Sequence, residues 1–102
     1  MIYKDTPDYM GRCMTSRERS IQESFERVVI DLGFTPYQYG YLTAYRNVGD
    51  LTYEVEKIVD AETVTYEVMV YRRSGDEVYF KSGFTTIDAA ISNMYKAVPV
   101  PN

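Results

Sequence analysis

The apolar residues fall into a helical period just after Thr15. Ile21, Phe25, Val28 and Leu32 recur at spacings of four, three and four, which places them on one helix face, with Glu23, Glu26 and Arg27 turned away. Thr15-Ser16-Arg17-Glu18 fits a capping box, in which Thr15 and Glu18 satisfy each other's orphan amides. Gly33 supplies the left-handed residue that ends such a helix and Phe34 the apolar residue after it, so the helix stops at about Leu32.

Past Pro36 the period falls from about 3.6 to 2. Tyr37, Tyr39, Tyr41, Thr43 and Tyr45 alternate with Gln38, Gly40, Leu42, Ala44 and Arg46, which predicts a first strand, and Asn47-Val48-Gly49-Asp50 turns the chain. Gly40 inside that strand marks a bulge or a close backbone approach. A second strand, 51–59, sets Leu51, Tyr53, Val55 and Val59 on one face and Thr52, Glu54, Glu56 and Ile58 on the other. After the loop Asp60-Ala61-Glu62-Thr63, a third strand over 64–73 adds Val64, Tyr66, Val68 and Val70 to the apolar face. Its Thr65, Glu67, Met69 and Tyr71 join the acidic one. Glu54 then stands opposite Met69, and Glu56 opposite Glu67.

Ser74-Gly75 closes the next hairpin. With Gly75 left-handed in a G1 bulge, a three-residue loop pairs Val70 with Val78 and Val68 with Phe80; a two-residue loop pairs Val70 with Tyr79 and Met69 with Phe80. The first keeps the apolar face continuous and is preferred. A short fourth strand, 77–81, leads through Gly83 to Thr85 or Thr86 as the cap of a second helix. Ile87, Ala90, Ile91, Met94 and Val98 carry that helix to about Ala97, where Val98-Pro99-Val100-Pro101 cannot continue it.

The predicted fold is therefore α+β, a two-layer sandwich in the order helix, four-stranded antiparallel meander, helix. Both apolar helix faces are expected on one side of the sheet, with the other side open. Phe25, Val28, Val55, Val68, Val70, Phe80, Ile87 and Ile91 are the expected core. Residues 1–14 read as an irregular arm, 15–98 as a single domain and 99–102 as an extended tail. The arm carries Ile2, Tyr3, Tyr9, Met10 and Met14, apolar enough to pack on the domain or to dock on a partner.

Composition narrows the chemistry. The 102 residues suffice for one core. No run approaches the roughly 18 apolar residues that span a bilayer, and Met1-Ile2-Tyr3-Lys4-Asp5 lacks the order of a signal segment. A cytoplasmic location without a membrane partner is expected. Histidine is absent and Cys13 is the single cysteine, which removes the usual general base and metal ligand and any internal disulfide. No glycine-rich phosphate loop precedes a helix. Glu54 and Glu56 could pair for acid–base work, but on an open face nothing would raise a pKa, and no spaced Asp/Asn loop accompanies them for calcium. No catalytic residue, metal or cofactor is expected, and the chain does not read as an enzyme.

Charge gives the sharper signal. The net charge is −4, and from Asp50 to Glu67 six acids (Asp50, Glu54, Glu56, Asp60, Glu62 and Glu67) meet one base, Lys57. Like charges directly opposite each other, as at Glu56 and Glu67, weaken a strand pair. A broken local rule points either to a solvated face or to use elsewhere. The expected partner-binding set is Glu54, Glu56, Glu67, Met69 and Tyr71, with Asp60 and Glu62 at the hairpin loop. A row of carboxylates about 6.7 Å apart suits a groove lined with Arg and Lys. The eleven tyrosines supply a secondary set, Tyr37, Tyr39, Tyr41 and Tyr45, as aromatic anchors if their face is exposed.

Two resemblances follow. Val64 to Ala97, with Phe84-Thr85-Thr86-Ile87-Asp88-Ala89-Ala90 at its centre, resembles the hairpin-then-helix portion of plant-type and integrase-arm DNA-binding domains. Those families read DNA with Arg and aromatic residues on the sheet, where this chain has Glu54, Glu56 and Glu67, so the likeness implies the fold and not the DNA contact. In general character, small, acidic and tyrosine-rich, the chain resembles phage-encoded inhibitors of host defence nucleases of the anti-CRISPR type. That resemblance implies a basic nucleic-acid-binding protein as partner, in the host bacterial cytoplasm if the chain is phage-encoded. A homo-oligomer formed through the open sheet face or an edge strand is the alternative. A nucleic-acid module resting on Arg12, Arg17, Arg19, Arg72 and Arg73 ranks third, and direct nucleic-acid binding is not expected.

Overall fold

A computed structural model describes residues 15–38 and 41–101. The arm over 1–14 with Cys13 and Arg12, together with Tyr39, Gly40 and Asn102, lies outside the described residues. The chain divides into two compact units, 1–44 and 45–102. Its elements are α1 (Ser16–Asp31), β1 (Thr35–Pro36), β2 (Thr43–Val48), β3 (Leu51–Val59), β4 (Val64–Arg72), β5 (Glu77–Phe84) and α2 (Ile87–Ala97). The class is α+β. The sheet has five strands in the order β1-β2-β3-β4-β5, not four, so the meander gains a short strand at its start.

In the first unit, α1 starts on the expected capping box. Thr15 Oγ1 accepts from the Glu18 amide at 3.1 Å, and Glu18 Oε1 accepts from the Thr15 amide at 3.0 Å. It ends in a Schellman arrangement: Gly33, at φ +90°, donates to Ile30 O, and the Phe34 amide reaches Val29 O at 2.8 Å. The helix packs against β1. Its buried residues are Phe25 and Val29, so the stripe runs four to four and not through Val28. Val28 is 44% exposed and Leu32 38%, which corrects the expected core.

The predicted strand from Tyr37 to Arg46 does not form as one element. The chain pairs briefly at β1, turns, and re-enters at Thr43, with the Tyr37 amide donating to Thr43 O at 3.0 Å. The turn holds Leu42 in the left-handed region at φ +57° while burying it to 2% exposure. A branched residue adopts that conformation only under constraint, and here the constraint is accompanied by burial of its side chain.

In the second unit, Gly49, at φ +61°, opens the turn between β2 and β3. Next comes the most regular hairpin of the chain, β3 with β4, in the expected register: Tyr53 opposite Val70, Val55 opposite Val68, Glu54 opposite Met69 and Glu56 opposite Glu67. Tyr53, Val55, Val68 and Val70 are fully buried. Helix α2, capped by Thr86 Oγ1 accepting from the Ala89 amide at 3.2 Å, packs on β3, β4 and β5. It buries Ala90, Ile91 and Met94 and leaves Ile87 half-buried. The start of the tail is fastened, since Tyr53 Oη donates to Val98 O at 2.9 Å and lies 3.1 Å from Pro99 O.

The β4–β5 hairpin departs most from expectation. Its turn is the predicted one: the amide of Gly75, at φ +105°, donates to Arg72 O at 2.7 Å, and the Arg72 amide donates to Asp76 O at 2.8 Å. Tyr71 then faces Glu77, but a second irregularity skips Val78, so that Val70 meets Tyr79, Met69 meets Phe80 and Val68 meets Lys81. One extra residue exchanges the two faces of a strand. Phe80 is consequently 45% exposed and Val78 40% exposed, and Phe80 leaves the expected core. Tyr79 takes its place toward α2, where its hydroxyl hydrogen-bonds Asn93 Oδ1. Another shift between Tyr66 and Val68 carries β5 to Phe84 past Gly83, at φ +88°.

Candidate functional site

Alternation along β3 and β4 puts Val55 and Val68 toward α2, so Glu54, Glu56, Glu67, Met69 and Tyr71 share the opposite face of the hairpin. All five are half-buried. The face is thus partly shielded from water, and its carboxylates feel one another more than fully solvated groups would. Asp60 and Glu62 lie apart, exposed at the hairpin tip. Asp60 has a local task there: its carboxylate accepts from the Ala61 amide at 2.9 Å, and its own amide donates to Thr63 O at 2.8 Å.

Glu56 and Glu67 are directly opposed. Partial burial, first, and then a hydrogen bond to the Glu67 carboxyl, the Glu67 charge and the Glu54 charge push the Glu56 pKa above the ordinary glutamate range. The face does raise a carboxyl pKa, contrary to expectation, because it is half-buried and not open. On the Glu54 side, Tyr71 Oη donates toward Glu54 Oε2 at 3.4 Å. Nearby, Thr52 is 6% exposed and donates to Asn47 Oδ1 at 2.7 Å.

The raised Glu56 pKa has a stability consequence. The native chain holds more protons than the unfolded chain between the unfolded and folded pKa values, so stability falls as pH rises through the folded value. The full penalty is present above the folded value. Glu56→Gln is expected to melt about 1–6 °C above the parent at pH 7, the range for removing one like-charge strand pair from a small domain. The gap should close as pH drops below the ordinary glutamate range. Thermal melts followed by circular dichroism at a series of pH values check this; a gap that does not change with pH would count against the carboxyl pair.

Of the secondary tyrosines, Tyr37, Tyr41 and Tyr45 do not share one strand. Tyr37 and Tyr41 belong to the connection between β1 and β2, Tyr45 to β2, and all three are half-buried; Tyr39 lies outside the described residues. The residue that sequence reasoning missed is Phe80. It stands opposite Met69, which stands opposite Glu54, giving a row of carboxylate, thioether and aromatic ring across β3, β4 and β5. The only signal for it was the alternative hairpin register.

Among the described residues no three His, Cys, Asp or Glu side chains come together as a metal site, and no helix is long and apolar enough to cross a membrane. Arg72 and Arg73 are both exposed, and Arg72 lies 3.5 Å from the Asp50 carboxylate. Comparison with protein-family models, with curated proteins and with solved structures finds no match.

Proposed function

We propose that the protein is a protein-binding inhibitor that presents the Glu54, Glu56 and Glu67 face to a basic nucleic-acid-binding protein and blocks its groove. The observation that carries this reading is the opposition of Glu56 and Glu67 at mid-length of the most regular hairpin. An arrangement that weakens the native state persists where it serves something other than stability. Carboxylates on stiff strands also hold a fixed spacing, which favours recognition of a rigid basic surface over loose counterion attraction. A CRISPR effector nuclease is one such partner.

The test is inhibition of target-DNA cleavage by a panel of purified RNA-guided nucleases. Excess protein is expected to slow at least one of them, with association falling steeply from low to high salt because exposed charge is screened within about 10 Å at 0.1 M. Inhibition that ignores salt, or none across the panel, would count against the proposal. A second reading, a homo-oligomer through the sheet, is favoured by the exposure of Val78 and Phe80 on the terminal strand β5. Sedimentation over a concentration series separates the two.

A further inference from the structure

Next to its turn the β4–β5 hairpin contains two irregularities where one would serve. The Gly75 turn alone pairs Tyr71 with Glu77 and would carry Val78 and Phe80 beneath α2. The skipped Val78 reverses that, turning Phe80 onto the acidic face and Lys81 off it. A bulge is a recurrent way of re-aiming a side chain at a binding surface. Its result here is a phenylalanine 45% exposed, about 4.8 Å in strand spacing from Met69 and twice that from the Glu54 strand. Lys81 is drawn to the other face, where its ammonium lies 5.7 Å from the Phe84 ring centre. No cation from β5 therefore stands between Phe80 and the carboxylates.

We infer that Phe80, seated against Met69, is the apolar anchor of the acidic face, and that its occupant is a basic protein surface in which Arg or Lys flanks an apolar seat. This rests on the docking reading above and deepens it. Carboxylates attract and orient a basic partner, but the residues that hold a complex are generally large side chains desolvated near the patch centre, with charge at the rim. Phe80 and Met69 supply the first feature and Glu54, Glu56 and Glu67 the second. A nucleic-acid strand could stack on Phe80 but would meet the carboxylates with like charge. The complementarity therefore selects a cationic protein.

Two synthetic peptides of equal positive charge test this, one with paired leucines between its arginines and one with serines in those places. The parent should bind both with strong salt dependence and the leucine peptide at least tenfold more tightly. Phe80→Ser should erase that preference while keeping the salt-dependent binding, and Phe80→Leu should retain most of it, so that a failure of Phe80→Ser to fold does not decide the outcome. In the parent, the Met69 methyl signal should shift with the leucine peptide and not with the serine peptide. Equal binding of both peptides, unchanged by Phe80→Ser, would overturn the anchor and leave the acidic docking reading standing. No binding of either peptide would overturn both. Self-association abolished by Phe80→Ser would overturn the anchor by assigning the face to a second copy of the chain.

Discussion

Tyr53→Ala is expected to destabilise the second unit by roughly 3–5 kcal/mol, the range for removing a buried aromatic side chain. Tyr53 is fully buried on β3, its ring meets Tyr95 of α2 edge-on at 5.3 Å between centres, and its hydroxyl serves the carbonyls of Val98 and Pro99. Truncation would therefore open a cavity under α2 and release the chain that follows it. Since small domains hold about 5–15 kcal/mol in total, this one change could consume much of the margin. Tyr53→Phe separates the parts, because it keeps the ring and removes only a hydrogen bond worth about 1 kcal/mol. Urea unfolding followed by circular dichroism measures both. A loss below about 1 kcal/mol for Tyr53→Ala would mean that the ring is not part of the core.

The same cluster places Arg46, whose Nη1 donates to Tyr95 Oη at 3.0 Å, with the guanidinium carbon 5.9 Å from the Tyr95 ring centre. Burial, chiefly, and the Tyr95 hydroxyl push the Tyr53 pKa up, with Arg46 acting in the opposite sense. Tyr53 thus stays a neutral donor to the two carbonyls at all ordinary pH. On the other face, Glu56 is the group whose pKa is raised, chiefly by partial burial.

What could be read in the sequence follows from how strongly each local pattern was constrained. The β3–β4 hairpin was legible because both strands alternate over nine residues and the loop length set the register. The cap of α1 was legible because capping is local chemistry. The buried stripe of α1 was not, since Val28-Val29-Ile30 is apolar at every position and leaves the helix phase undetermined; the structure selects Val29. The long tyrosine alternation misled because a period of two is necessary for a strand but does not supply a pairing partner. The turn at Leu42 uses a left-handed residue that no glycine announces. Phe80 is misplaced by sequence for a related reason: continuity of the apolar face favours one register, whereas the Tyr79–Asn93 hydrogen bond and the skipped Val78 accompany the opposite arrangement. Glu54, Glu56 and Glu67 were correctly gathered on one face, but their half-burial depends on tertiary surroundings that alternation does not report.

Reversing Glu54, Glu56 and Glu67 together to Lys is expected to abolish binding to a basic partner, by at least a hundredfold, with little change in melting temperature. The stability expectation follows from symmetry: the charges at positions 56 and 67 change sign but still repel each other, and lysine stems can carry their charges outward along the half-buried face. Binding behaves differently, because each reversal adds two units of charge and the three move the chain from −4 to +2. Attraction across the interface becomes repulsion, removing both the steering of association and the pairing in the complex. The parent on-rate should fall as salt is raised, and the reversed protein should show no such fall. The two proteins should also part on duplex DNA in a gel shift at low salt, the parent leaving it unshifted and the reversed variant binding weakly. If a nuclease inhibited by the parent were inhibited equally by the triple reversal, the carboxylates would be only a solvated face, and the Phe80 and Met69 patch would have to carry recognition without them.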